Sequence, residues 1–560
     1  MAEPNSRNVH PQWIAKMYAG KIGRDHLGLG SVASDQILPA LSPAINVLTQ
    51  RPRYYSFYAF LLDEFIRRGR PASRTAWVAF YRPREFIFSL GAHLRGHAAH
   101  RPEHDRGRYA VGTNKTSGLA ARELPAYDTQ TDYIDSDLGG YGLYYRTVMA
   151  ELGLIYLGGP GYLYPIDVIS EVGKEVAAKF REAVRDTVYY RDYFDRDDAE
   201  VPIEAIIEYI DWACLCQLQR PDAPDRPILM DRFLHGGHEE SAERRRTTFR
   251  LFLDLARQTD GFPVDQATFR QLIYFGAAEN GAHYQPIADL VEIWRRWRLY
   301  QAHQYYSFAL NALWDYLCTW GLWNQGDIRP LPLDDLWRHL EDALDFSLLA
   351  RRLNLPDPHF RAGSGFLQLL QWLESLAGAR GSGFDSACDL STPINERRLH
   401  RLVEDHRGES DVMVAGMLIM LALVYLRFGS PEFHRQPEWE LARMGQNGRL
   451  PLDGFVHQLG RRLESPATIF EVARWLYSDY IIQQHITIAA GKLPENTFRF
   501  QRQSGGLQFY KLDNSLGFMD SRFNALSTIV NELGLCGSFT QAAHPLTADG
   551  GMLLELGDLV

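Results

Sequence analysis

Histidines at 93, 97, 100 and 104 are spaced four, three and four. On one continuous helix they would share a face, as metal ligands can. Pro102 ends such a helix before His104, and Arg95, Arg101 and Arg106 would repel a divalent cation. These residue types favour a basic surface over a metal site. A second cluster, His235-Gly-Gly-His238-Glu239-Glu240, sets two imidazoles and two carboxylates within six residues. Such a set could hold zinc, but no further ligands of recognisable spacing accompany it, so it reads as a polar surface loop. Tyr480, Gln484, His485, Lys492, Asn496 and Arg499 form a third group. His485 could serve there as an acid–base group with Lys492 as anion partner. The structural alternative is that these residues cap and pad a helix end.

Nucleotide chemistry has no motif to carry it. The chain lacks G-x-x-x-x-G-K-[ST], and Gly28-Leu-Gly30 lacks the strand, third glycine and acidic follow-up of a dinucleotide site. Residues 112–118, GTNKTSG, have the composition of a phosphate loop without its spacing or lead-in strand. No G-x-S-x-G elbow and no zinc-deaminase pattern is present. No cofactor or metal is expected, and no catalytic residue is assigned. The enzymatic alternative is a metal-dependent nuclease whose ligands are dispersed along the chain.

Charge offers a different chemistry. The net charge is −10, yet residues 1–130 hold 18 Lys and Arg against 10 Asp and Glu. A basic end on an acidic body suits phosphate contact. The expectation is that Arg51, Arg53, Arg67, Arg68, Arg82, Arg84, Arg106, Arg108 and Lys115 include an exposed cluster that binds nucleic acid. Tyr54 and Tyr55 are expected to pack rather than to stack on bases.

The elements that must position these residues are helical. Tyr54, Phe57, Tyr58, Leu61, Leu62, Phe65 and Ile66 recur at helical spacing after Pro52, and a second helical run starts at Arg74. Residues 101–140 are poor in apolar periodicity, and 101–118 read as a polar, basic, glycine-bearing loop. Val412–Leu426 is apolar throughout, but its roughly fifteen residues fall short of the ~20 that span a bilayer. It is expected to be a buried core helix. Alternation around Ser504-Gly505-Gly506 predicts a hairpin within 497–511.

Two distant stretches read alike, Tyr145–Phe180 and Phe523–Leu556. Each has a helical run ending in Glu-Leu-Gly-Leu, a turn-rich gap, then Ser170 or Thr547 opening another helix. Gly153 and Gly534 suit the left-handed residue that ends a helix, and Ser170 and Thr547 suit N-caps. This order predicts two winged-helix-like modules of similar fold. The expected fold is mainly α, a multi-domain helical protein with winged-helix-like modules and few short strands. Three regions are expected: 1–185, basic and ending in the first module; 186–400, a central helical domain; and 401–560, with the hairpin and second module.

Apolar residues make up 46% of the chain and charged residues 23%, the balance of a soluble globular protein. The five cysteines form no C-x-x-C pairs, and the N-terminus lacks an apolar leader, which together imply reduced thiols in the cytoplasm. Leu27–Phe65, with Leu27–Gly30, Pro43, Thr49, Arg53, Tyr54 and Phe57, resembles the N-terminal signature of uncharacterised bacterial proteins found among phage-defence genes. It departs from that pattern at Gln50 and Pro52. The resemblance implies a setting, defence against mobile DNA, and no reaction. The expected function is thus a non-enzymatic component of a bacterial phage-defence system. Its expected partners are DNA or RNA and other defence proteins, such as a helicase or methyltransferase, with no membrane contact.

Overall fold

The computed structural model describes residues 25–94, 110–326, 329–377, 388–445, 450–493, 495–510 and 515–559. Within them the protein is mainly helical, and no sheet exceeds three strands. The described chain divides into two compact units, each assembled from separate stretches. One holds residues 25–37 with Ile273–Ala277 and Arg295–Met519; the other holds the described residues of Leu38–Leu272, Ala278–Trp294 and Asp520–Val560. These divisions do not follow the contiguous boundaries near 185 and 400 that composition suggested.

The first unit is built on apolar helices. Asp411–Gly416 is π-helical and runs into the α-helix Met417–Phe428. Asp411–Phe428 is long and apolar enough to cross a membrane, but 89% of it is buried inside the protein. It meets the expectation of a core helix. Arg427 ends this helix buried, with Nε 2.6 Å from Glu396 Oε1 and Nη2 3.0 Å from Oε2, while Tyr274 donates to Oε1 at 2.8 Å. The hairpin is present as Phe500–Gln503 and Gly506–Phe509. Its two turn residues, Ser504 and Gly505, both have positive φ, as a two-residue type I′ turn requires. Leu331–Pro332 adds a third strand against Gly506–Leu507.

The second unit contains Arg53–Arg67, entered through Pro52 and buried continuously from Arg53 to Phe65. Tyr54 and Tyr55 are fully buried there, and the Tyr54 hydroxyl accepts from Val111 N–H. Thr49, Arg53, Tyr54 and Phe57, which carry the N-terminal resemblance, are all core residues. Ser73 caps Arg74–Gly91 by accepting from Ala76 N–H. Part of the segment read as loop is helical instead: Thr113–Ala120 starts after Gly112, whose φ of 76° sets the entry angle. The expectation failed because Thr, Asn, Ser and Gly resemble loop composition, while packing of this helix against Arg74–Gly91 overrides weak propensity.

Candidate functional site: a rigid aromatic loop

The two similar stretches fold alike, and both lie in the second unit. Arg146–Glu151 ends at Gly153 with φ 75°, and Phe523–Glu532 ends at Gly534 with φ 81°. Leu154 N–H reaches back to Met149 O, and Leu535 N–H to Val530 O, both at 2.9 Å. Gly153 and Gly534 N–H likewise bond Ala150 O and Asn531 O. Each is a complete Schellman motif. Ser170 Oγ then bonds Gly153 O and accepts from Gly173 N–H; Thr547 Oγ1 does the same with Gly534 O and Gly550 N–H. A Cβ on Gly173 would overlap Leu154 O, and one on Gly550 would overlap Leu535 O. Each stretch is therefore a helix, a glycine turn, a short antiparallel pairing and an N-capped helix. The pairing is Ile155–Tyr156 with Val168–Ile169 in the first repeat and a single bridge, Cys536 to Leu546, in the second.

What differs is the loop between the helices. Fifteen residues separate Leu154 from Ser170, and eleven separate Leu535 from Thr547. The shorter loop is stitched inward. Phe539 and His544 are buried and stacked, His544 Nε2 lies 3.0 Å from Thr259 Oγ1, and Val264 N–H bonds Phe539 O. The longer loop points outward: Leu163 is 87% exposed, with Tyr156 at 57% and Tyr162 at 52%.

This exposure is not slackness. Asp167, nearly buried, anchors the loop base. It takes both Arg146 Nε and Nη2, at 2.7 and 2.8 Å, together with Gly158 N–H at 2.7 Å and the Tyr141 hydroxyl at 2.6 Å. Burial pushes the Tyr141 hydroxyl pKa well up, so it stays protonated and able to donate. Arg146 also lies over the Tyr162 ring, 5.7 Å from its centroid. Gly159 N–H bonds Tyr164 O, and Tyr162 N–H bonds Gly159 O, closing the tip as a tight turn with Gly161 at φ 87°. Residues 157–166 contain no charged side chain. Chemically the loop offers three phenol rings, of Tyr156, Tyr162 and Tyr164, and a leucine in a fixed arrangement.

The basic residues expected to bind phosphate are placed differently from one another. Arg53 and Arg84 are buried: Arg53 faces Asp225 at 3.3 Å and donates to Cys214 O, and Arg84 pairs with Asp197 at 3.1 Å. Neither contributes to an exposed cluster. Arg51 pairs with Glu532 at 2.7 Å, and Arg68 with Glu64 and Asp195, each at 2.9 Å. Arg82 and Lys115 are brought together by Asp132, at 3.1 Å from each, and Lys115 also meets Asp135. Arg67 is exposed and has no carboxylate partner among the described residues. Arg106 and Arg108 lie outside the described residues, as do His97, His100 and His104.

His485 and His235 serve the fold. His485 is buried, lies 3.3 Å from His26 O through Nδ1, and accepts Arg499 N–H at Nε2. Burial lowers its pKa to about 3, so it is a neutral packing group. Lys492 donates to Asp25 O. His235 stands between Asp231 and Asp558, at 2.9 and 2.8 Å. Among the described residues no group of three or more His, Cys, Asp or Glu is placed to hold a metal ion. Comparison with models of known families, with curated proteins and with solved structures finds no match for the chain.

Proposed function

We propose that the protein is a non-enzymatic recognition component of a multi-protein phage-defence system, docking a partner protein through residues 156–167. The setting comes from the resemblance at 27–65. The docking reading rests on one observation, the apolar tip at Tyr162-Leu163-Tyr164 held out on a base fixed by Asp167. A loop already ordered when free loses little entropy on binding. Its lack of charge argues against phosphate as its target and for an apolar pocket on a protein. Such winged-helix-like presentation of a loop from a helical scaffold is part of this reading, as is a cytoplasmic location. The partner is sought among the proteins encoded beside this one.

Burying one leucine contributes about 1.5–3 kcal/mol, so Leu163→Asp should weaken docking at least tenfold. The experiment is purification of the tagged chain from its native host with its neighbouring genes intact. A neighbour-encoded protein should accompany the wild type and be lost from Leu163→Asp. The same proteins retained on both, in equal amount, would overturn the reading.

A further inference from the structure

Among the described residues, cations without a carboxylate partner gather in the first unit. Leu452–Arg462 ends with Arg461 and Arg462, and Ile469–Trp475 carries Arg474. All three line one open cleft of about 570 Å³. All three are exposed, and none has a carboxylate at ion-pair distance among the described residues. Arg462 and Arg474 are oriented by aromatic faces instead. The Arg462 guanidinium lies 4.5 Å from the Trp475 ring centroid, and that of Arg474 lies 5.1 Å from the Trp337 centroid. A π face steers a guanidinium while leaving its charge intact and its N–H fork open to an oxyanion.

From this arrangement we infer a nucleic-acid site in which Arg461, Arg462 and Arg474 hold the phosphodiester backbone of a strand. Ser465 and Ser478 line the same cleft and supply hydroxyl donors. Two carboxylates are also present. Glu471 is turned onto the helix end, where its Oε2 accepts Thr468 N–H at 2.8 Å and Thr468 Oγ1 at 3.0 Å. Asp479 is exposed at the edge. Three cations against two carboxylates leave the cleft with a net positive charge. Trp475 is buried and covered by Arg462, so a base finds no ring to stack on. The site therefore reads backbone and not sequence. It is independent of the loop at 156–167 in residues and in chemistry.

The test is binding of fluorescent single-stranded and duplex DNA of unrelated sequences to the full chain, followed by anisotropy across a salt series. The wild type should bind at low salt without sequence preference. Arg461→Gln, Arg462→Gln and Arg474→Gln combined should weaken binding at least tenfold and flatten the salt dependence by about two in log–log slope, since each phosphate contact contributes about 0.7–0.9. Thermal unfolding checks that the triple variant is folded, and Arg461→Gln alone, at an exposed site, should show a smaller loss in the same direction. Leu163→Asp should bind DNA as the wild type does. No wild-type binding at low salt, or a folded triple variant with unchanged affinity and slope, would overturn the inference. Displacement of the oligonucleotide by an equal phosphate concentration of AMP would overturn the strand assignment in favour of a free nucleotide.

Discussion

Glu85 is a carboxylate buried without a cation. Tyr58 donates to its Oε1 at 2.5 Å, Tyr133 donates to Oε2, and Gly140 and Tyr141 N–H complete the set. Burial raises its pKa, and the four donors oppose that shift. Replacing it with Gln would turn an amide N–H₂ toward at least one backbone donor. Glu85→Gln should therefore cost about 1–3 kcal/mol of unfolding free energy, read by denaturant titration. Arg427 and Glu396 pose the same question with the charge paired. Arg427→Met leaves Glu396 charged and buried beside Tyr274, and should cost about 3–5 kcal/mol. His303 gives a pH test. Burial lowers its pKa to about 4, against about 6.5 in an unfolded chain. Between these values only the unfolded state takes the proton, so stability falls as pH falls through that window. At pH 5 the loss attributable to His303 is about 2 kcal/mol relative to pH 7. His303→Gln should shrink the measured difference in stability between pH 7 and pH 5 by that amount, and an unchanged difference would contradict the assignment.

At the scale of elements, the repeat makes matched predictions. Gly173→Ala and Gly550→Ala each drive a methyl group into a carbonyl oxygen at the same place in the motif. Both should lower stability, by similar amounts on the order of 1–3 kcal/mol, whereas Gly551→Ala, with open space around it, should not. Much of this level was legible from residue types. Glu-Leu-Gly-Leu marks a Schellman ending because only glycine adopts positive φ there without strain, and Ser-Gly-Gly between alternating residues marks the hairpin. The loop difference was not legible. Tyr162-Leu163-Tyr164 and Phe539 both sit in turn-rich gaps, and only the tertiary contacts of Phe539 with Phe252 and Phe523 distinguish inward from outward. A signal was available in the uncharged run 157–166 with its three glycines and two prolines, too apolar for an ordinary solvent loop.

At the scale of the molecule, folding redistributes the charge that is counted along the chain. Among the described residues, Asp132, Asp135, Asp195, Asp197, Asp225 and Glu532, all beyond residue 130, are brought by folding to Arg51, Arg53, Arg68, Arg82, Arg84 and Lys115. Contact between residues so far apart in sequence leaves no mark in local composition. Arg461, Arg462 and Arg474 are illegible for the converse reason, since their surroundings in sequence are charge-balanced, while in space Arg462 and Arg474 lie over aromatic rings. The discontinuous units were illegible likewise, because nothing local at residue 37 or 295 marks a change of unit. On the proposed reading the first repeat presents a docking loop and the second is structural. Protection against phage in the native gene cluster tests it most directly, with Leu163→Ser compared against Leu556→Ser, an equally simple change at a 66% exposed leucine of the second repeat. Both substitutions should leave thermal stability within about 0.5 kcal/mol of wild type. Protection should be lost with Leu163→Ser and retained with Leu556→Ser; full protection by Leu163→Ser across a broad phage panel would contradict the account.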